Sequence, residues 1–182
     1  KASVTLRSMA SGLGVDYIAS GVAAPVGYTP SNDLFVKLLQ ARGAKAEVLR
    51  ERLVGNVAGV VFNHDTYNKL IEEYGSIDVK AVTESVANGE IDFGYTNPFT
   101  SSTGLNFLTS VLYRYDSKNP LSDTAKEGFA SFQKNVPLVA MTTVQLCGAA
   151  ERGALDGFVL ERQLFENDPT LKANYDFVTF GY

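Results

Sequence analysis

The stretch SVANGEIDFGYTNPFTSSTGLNF, residues 85–107, decides the reading of the fold. It closes a helical run on Gly89, continues as a short apolar strand over residues 91–95, and passes through a hydroxyl-rich loop into a new helical run from Leu105. Glycine suits a helix end because it adopts the left-handed conformation without a Cβ penalty. The same unit recurs as YIASGVAAPVGYTPSNDLF at residues 17–35 and as GAAERGALDGFVLERQLF at residues 148–165. Gly21 and Gly153 take the place of Gly89, and residues 26–28 and 155–160 take the place of the strand. Short strands alternating with helices predict an α/β fold of mainly parallel sheets flanked by helices.

Working outward, residues 4–6 and 136–141 also read as strands, as do residues 57–62 after a Gly55–Asn56 turn. Apolar residues at every third or fourth position predict helices over residues 33–42, 65–73, 79–87, 105–113 and 124–133. A small-residue helix is expected around Cys147. Hydrophobic periodicity weakens across the charged residues 42–55, so a hinge is expected there, with residues 1–52 forming part of a first lobe and residues 53–182 a second. Fifty-two residues are too few for a matching α/β lobe, so the first lobe is expected to be incomplete.

Composition narrows the partners. Sixteen basic and twenty acidic residues leave a net charge of −4, with no basic block to follow a nucleic-acid backbone. Cys147 and His64 are the only residues of their types, which excludes an internal disulfide and a Cys/His zinc cluster. Asp116, Asp123, Glu127, Asp156 and Glu161 lack the spacing of a calcium loop, so no metal or cofactor is expected. The longest apolar runs fall far short of the ~20 residues of a spanning helix. Lys1 is not an initiator methionine, and the chain is expected to be a processed or trimmed product.

In open α/β sheets ligands bind beyond the carboxyl ends of the strands. That rule selects SMASGLG (residues 8–14), TPSND (29–33), TNPFTSSTG (96–104) and TT (142–143), all rich in hydroxyls. In the third loop Thr100, Ser101, Ser102 and Thr103 precede a helical run, so free backbone N–H groups and the positive end of the dipole favour an oxyanion there. The competing reading is one N-cap hydroxyl among solvated neighbours. Asp33 reads as a helix-start carboxylate. Phe35, Phe93 and Phe107 read as packing, whereas Tyr28, Tyr95 and Phe99 fall where a pocket wall would lie.

The segments VGNVAGVVFNHDTYNKL (54–70), VANGEIDFGYTNPFTSSTGLNFL (86–108) and AAERGALDGFVLE (149–161) resemble extracellular solute-binding proteins of ABC transporters, class II, in their phosphate- and molybdate-like branch. Similar segments occur joined to von Willebrand factor A domains. The resemblance implies a periplasmic-binding-protein-like bilobal fold, an extracellular or periplasmic location with a lipid anchor outside this chain, a small-molecule or oxyanion ligand, an ABC transporter permease as partner, and no chemistry. It implies binding by Ser8, Ser11 and Gly12 in the first loop, Thr29 and Ser31 in the second, Thr100, Ser101, Ser102 and Thr103 in the third, and Thr142 and Thr143 in the fourth. The chain departs from the pattern by lacking the usual first strand and helix and by stopping at Gly181 and Tyr182 before a return to the first lobe.

Two other classes compete. An enzyme would need more than His64, whose context FNHDTYNKL suits a helix start capped by Asn63 or Asp65, and more than Cys147, which reads as a small buried hydrophobe; no catalytic residue is assigned. A ligand-sensing domain of a transcriptional regulator can share the bilobal architecture, as can a shortened domain mediating protein interaction.

Overall fold

A computed structural model describes residues 3–180. Lys1, Gly181 and Tyr182, on which the expectations about the chain's ends rest, lie outside the described residues, as does Ala2. The elements in order are α1 (Ser11–Ala19), α2 (Asp33–Ala41), β1 (Ala58–Asn63), α3 (His64–Tyr74), α4 (Val79–Ala87), β2 (Phe93–Thr96), α5 (Ser102–Tyr115), α6 (Asp123–Gln133), β3 (Leu138–Ala140), α7 (Thr143–Glu151), β4 (Gly157–Glu161), α8 (Arg162–Asn167), α9 (Pro169–Asn174) and β5 (Tyr175–Val178).

The five strands form one sheet in the order β3-β2-β4-β1-β5. Strand β2 runs parallel to β3 and β4, while β1 is antiparallel to β4 and β5, so four strands share a direction and β1 opposes them. The carboxyl ends of β2, β3 and β4 therefore lie at the same end of the sheet as the start of β1, where Ala58 sits opposite Glu161. That end carries the candidate site.

Side chains alternate across the two faces of a strand. On one face Phe62, Phe93 and Tyr95 meet Phe107 of α5 and Phe132 of α6 in a chain of ring contacts with centroids 5.4 to 6.2 Å apart. Gly157 makes the Phe62–Phe93 contact possible, since a Cβ there would come within 2.2 Å of the Phe62 ring. On the other face a Cβ at Gly94 would strike Leu155 and Leu146 of α7 at 2.8 and 2.9 Å. Helices thus cover both sides, as the alternating pattern predicts. Each fully buried phenylalanine contributes roughly 1.5–3 kcal/mol of transfer free energy, and Phe62, Phe93, Phe132 and Phe158 are all fully buried.

Helix ends follow their side chains. Asn32, Asn63, Asp78, Ser122, Thr142 and Asp168 each accept a backbone N–H of the first turn of the helix they precede. Asp33 lies in the first turn of α2 and pairs with Lys37 at 2.7 Å. The three recurring glycines, Gly21, Gly89 and Gly153, have φ of +75°, +71° and +70°.

Two sequence expectations need correction. Residues 4–6 and 26–28 are not strands: Val4, Leu6 and Val26 are among the most exposed apolar residues, and no ladder partner lies beside them among the described residues. A β-branched run becomes a strand only when another strand accepts its backbone groups. Tyr95 is not a pocket wall either, being 3% exposed within the aromatic core. Residues 42–57 contain no helix or strand, and α1 and α2 pack around a small cluster of their own, Val15, Phe35 and Leu39. Among the described residues no helix is long and apolar enough to cross a membrane.

Candidate functional site

The loop after β2 is built on Asn97. Its N–H donates to Ala140 at the end of β3 at 2.7 Å, its carbonyl accepts from Ser101 N–H at 2.9 Å, and its side chain accepts from Phe99 N–H at 2.9 Å. This turn carries the chain into α5. Gly104 in the first turn of α5 lies against the Thr96 carbonyl so closely that a Cβ would sit 1.8 Å from that oxygen.

The first loop meets this one. Gly12 N–H donates to the Thr100 carbonyl at 2.8 Å, and a Cβ on Gly12 would fall 1.9 Å from the Phe99 carbonyl oxygen. Ser102 Oγ donates to Ser11 Oγ at 3.1 Å, and Ser31 N–H donates to the same Ser11 Oγ at 3.3 Å. Tyr28 donates its hydroxyl to the Ser11 carbonyl at 2.6 Å, and burial pushes its pKa up to about 12. Asn32 reaches Asn106 of α5 at 3.1 Å. Segments around residues 11, 31, 97 and 102 therefore converge at the carboxyl ends of β2 and β3.

Most of the hydroxyls are already engaged within the protein. Thr96 Oγ1 donates to Ser101 Oγ at 2.9 Å, Thr100 Oγ1 donates to the Asn97 carbonyl at 3.1 Å, and Thr103 Oγ1 donates to the Glu161 carboxylate. Ser101, Ser102 and Thr103 are buried rather than solvated. Thr142 caps α7 in a reciprocal capping box with Gln145, and Thr143 is buried behind it. Thr100 Oγ1 also approaches the Met141 carbonyl at 3.4 Å, which links the third and fourth loops. Ser8 and Thr29 are exposed, with no side-chain hydrogen bond among the described residues.

What distinguishes the junction is its helix ends. Neither α1, preceded by Ala10, nor α5, preceded by Ser101, has a side-chain cap. Their first residues, Ser11 and Ser102, touch. The Thr100 carbonyl takes the Gly12 N–H of α1, so what the two helix starts present to one place is their other first-turn N–H groups and the positive ends of two dipoles. An opposing charge lies on the Thr103 side: Glu161, whose Oε1 takes the Thr103 hydroxyl and whose Oε2 is buried with no hydrogen-bond partner among the described residues.

No family model and no curated protein matches the sequence. Solved structures do match the chain. A periplasmic thiamin binding protein superposes with a TM-score of 0.64 at 14% identity, covering 95% of this chain and 57% of its own. Iron-bound HitA from Pseudomonas aeruginosa superposes with a TM-score of 0.60 at 18% identity, covering 94% of this chain and 58% of its own. The fold is periplasmic-binding-protein-like. The chain spans less than three fifths of the length of either neighbour. Within this periplasmic-binding-protein-like fold, the junction occupies the strand ends at which open α/β sheets receive ligands.

Sequence reasoning missed Asn32, Asn97 and Glu161 as builders of the junction. Asn97 had a signal, the Asn-Pro dipeptide of a tight turn; Asn32 and Glu161 act through partners far away in sequence. Among the described residues no cluster of three or more His, Cys, Asp or Glu side chains is placed to hold a metal ion. Cys147 stands apart from the junction on α7, half-buried, and burial together with Asp168, Glu151 and Glu161 pushes its thiol up to about 11. At pH 8 its thiolate fraction should be on the order of a hundredfold below that of a free cysteine with pKa ≈ 8.5. Ellman's reagent should accordingly label the folded chain slowly and the urea-unfolded chain at the ordinary rate; equal rates would contradict the packing of α7.

Proposed function

We propose that this chain is part of a solute-binding protein that captures a small solute for an ABC-type permease outside the cytoplasmic membrane. Residues 1–52 belong to a first lobe and residues 53–182 form the second. The solute sits where α1 and α5 meet, held by Ser11, Ser31, Ser102 and the remaining first-turn N–H groups of both helix starts, with Gly12 serving to dock α1 on the Thr100 carbonyl. The supporting observation is the meeting of two uncapped helix N-termini at the Ser11–Ser102 contact, at the carboxyl ends of parallel strands.

An oxyanion is the solute this arrangement favours. Two helix ends each carry roughly half a positive charge, and neutral hydroxyl donors discriminate well because a wrong ligand leaves them unmet. Glu161 opposes an anion at the Thr103 side, so the anion lies on the α1 side of the junction. Binding, not catalysis, is the role that fits neighbours described as a thiamin binding protein and an iron-bound protein. One observation favours an organic solute with a polar group instead: Phe99 is 84% and Met141 50% exposed on the same loops, offering apolar surface beside the donors.

A melting-temperature screen with phosphate, sulfate, molybdate, thiamin and neutral sugars tests these readings. A solute at 100 times its dissociation constant adds ~2.7 kcal/mol, equivalent to roughly 5–10 °C for a chain of this size. The response should vanish in Ser11→Ala/Ser102→Ala while that variant still melts cooperatively. A shift with an oxyanion supports the first ligand class, a shift with thiamin alone the second, and no shift with any solute removes the binding role.

A further inference from the structure

At the opposite end of the sheet from the solute junction lies a cleft of about 410 Å³, lined by Asn63, His64, Asp65, Thr66, Asp156 and Asn174. His64 is the only histidine in the sequence. Its Nδ1 lies 2.6 Å from Asp176 Oδ2 on β5, and its Nε2 lies 3.1 Å from the Ala173 carbonyl near the end of α9. Both partners can only accept, because a carboxylate and a carbonyl carry no proton. Both contacts are hydrogen bonds only when both ring nitrogens carry a proton, that is, when the ring is cationic. A neutral imidazole serves one partner and turns its lone pair toward the other.

The element so held is one of the two edge strands of the sheet. Strand β5 is an edge strand, paired only with β1, and none of its four residues is fully buried. Edge elements with little burial open locally at low cost. The other charged groups facing the ring are also acidic: Asp65 beside it on α3 and Asp156 just before β4, across the cleft. Asn63 ties Asp156 to the start of α3 at 3.4 Å, so that carboxylate is held in place. No basic side chain lines the cleft.

We propose that His64 is a pH-sensitive latch that fastens β5 and the end of α9 to the start of α3 when protonated and loosens them when neutral. The direction agrees with the local electrostatics, since the Asp176 hydrogen bond, then the Ala173 carbonyl, hold the His64 pKa above its ordinary value. A group with a raised folded pKa stabilises the fold fully below its unfolded pKa of ~6.5 and loses that contribution as pH rises through the higher folded value. Fastening is therefore complete in mildly acidic solution and lost on the alkaline side.

Because there is one histidine, proton NMR of its ring reports the titration without ambiguity. The expected result is a midpoint above ~6.5 in the native chain, falling toward that value in Asp176→Asn. Amide exchange at residues 175–178, corrected for intrinsic rates, should lose protection at least threefold from pH 5.5 to pH 8.5, and His64→Gln should abolish this pH dependence. A native midpoint at or below the ordinary histidine value, or β5 protection that is independent of pH, overturns the proposal. The native-chain titration decides the question even if Asp176→Asn does not fold.

Discussion

Phe93→Ala is expected to cost about 3–5 kcal/mol, the range for truncating a buried aromatic. The side chain is fully buried, and its ring stands 5.8 Å from Phe62 and 5.4 Å from Phe107. With Tyr95 it is one of two β2 rings that meet Phe107 of α5, so removing it leaves a void walled by the sheet and by α5. Domains of this size have total stabilities of about 5–15 kcal/mol, and the variant should therefore unfold at a much lower urea concentration than the native chain. Equilibrium urea unfolding followed by circular dichroism measures this. A loss below about 1 kcal/mol would mean that the ring does not occupy the core position described.

Gly104→Ala should also destabilise, against the usual sign. Alanine in place of glycine inside a helix normally stabilises by up to about 1 kcal/mol. Here the new methyl would meet the Thr96 carbonyl oxygen at 1.8 Å and its carbon at 2.6 Å, both backbone atoms that cannot rotate away. Helix α5 must withdraw from the end of β2, at an expected cost of about 1–3 kcal/mol or more. Withdrawal also separates Ser102 from Ser11, so the solute response should fall with the melting temperature. Gly148→Ala is the matched control: it lies within α7, and its added methyl would meet only the Arg152 guanidinium at 3.5 Å. That variant should be neutral or slightly stabilised. If both variants behave alike, the close approach of α5 to β2 is wrong.

Much of the fold could be read before any coordinates, where the signal is local. A glycine after a helical run needs only its neighbours to dictate a left-handed turn, and all three recurring glycines adopt it. Helix α4 spans residues 79–87, as its periodicity predicts. Asn63 caps α3, one of two caps the FNHD sequence allowed. The misreadings concern non-local pairing. Residues 4–6 and 26–28 have strand-like side chains but no partner strand beside them among the described residues, whereas β5, with the sequence YDFV, becomes a strand because β1 lies next to it. Helices α8 and α9 went unread because six residues are too few to display a period, although Asp168 and Pro169 mark the start of α9.

The candidate junction divides in the same way. Its hydroxyl content was plain from composition, and the rule that ligands gather at strand ends selected the right loops to compare. That Ser11 would touch Ser102, ninety-one residues away, depends on how α1 docks on the Asn97 turn, and no local pattern encodes it. Nor could the sequence reveal that Ser101 and Thr103 would be occupied by Thr96 and Glu161, leaving the helix ends rather than the side chains as the open donors.

The reversed direction of β1 has a mechanical corollary. Had it run with the other strands, the irregular segment leading from α2 would have had to travel the length of a six-residue strand, about 20 Å at 3.3 Å per residue, before joining the sheet. Instead it enters beside Glu161, with the Val57 carbonyl accepting from Arg162 N–H at 2.8 Å. On the two-lobe reading proposed above, the pivot for α1 and α2 would stand at the rim of the mouth they close. On that reading a swing of the helix pair changes the gap at Ser11 and leaves the far end of the sheet undisturbed.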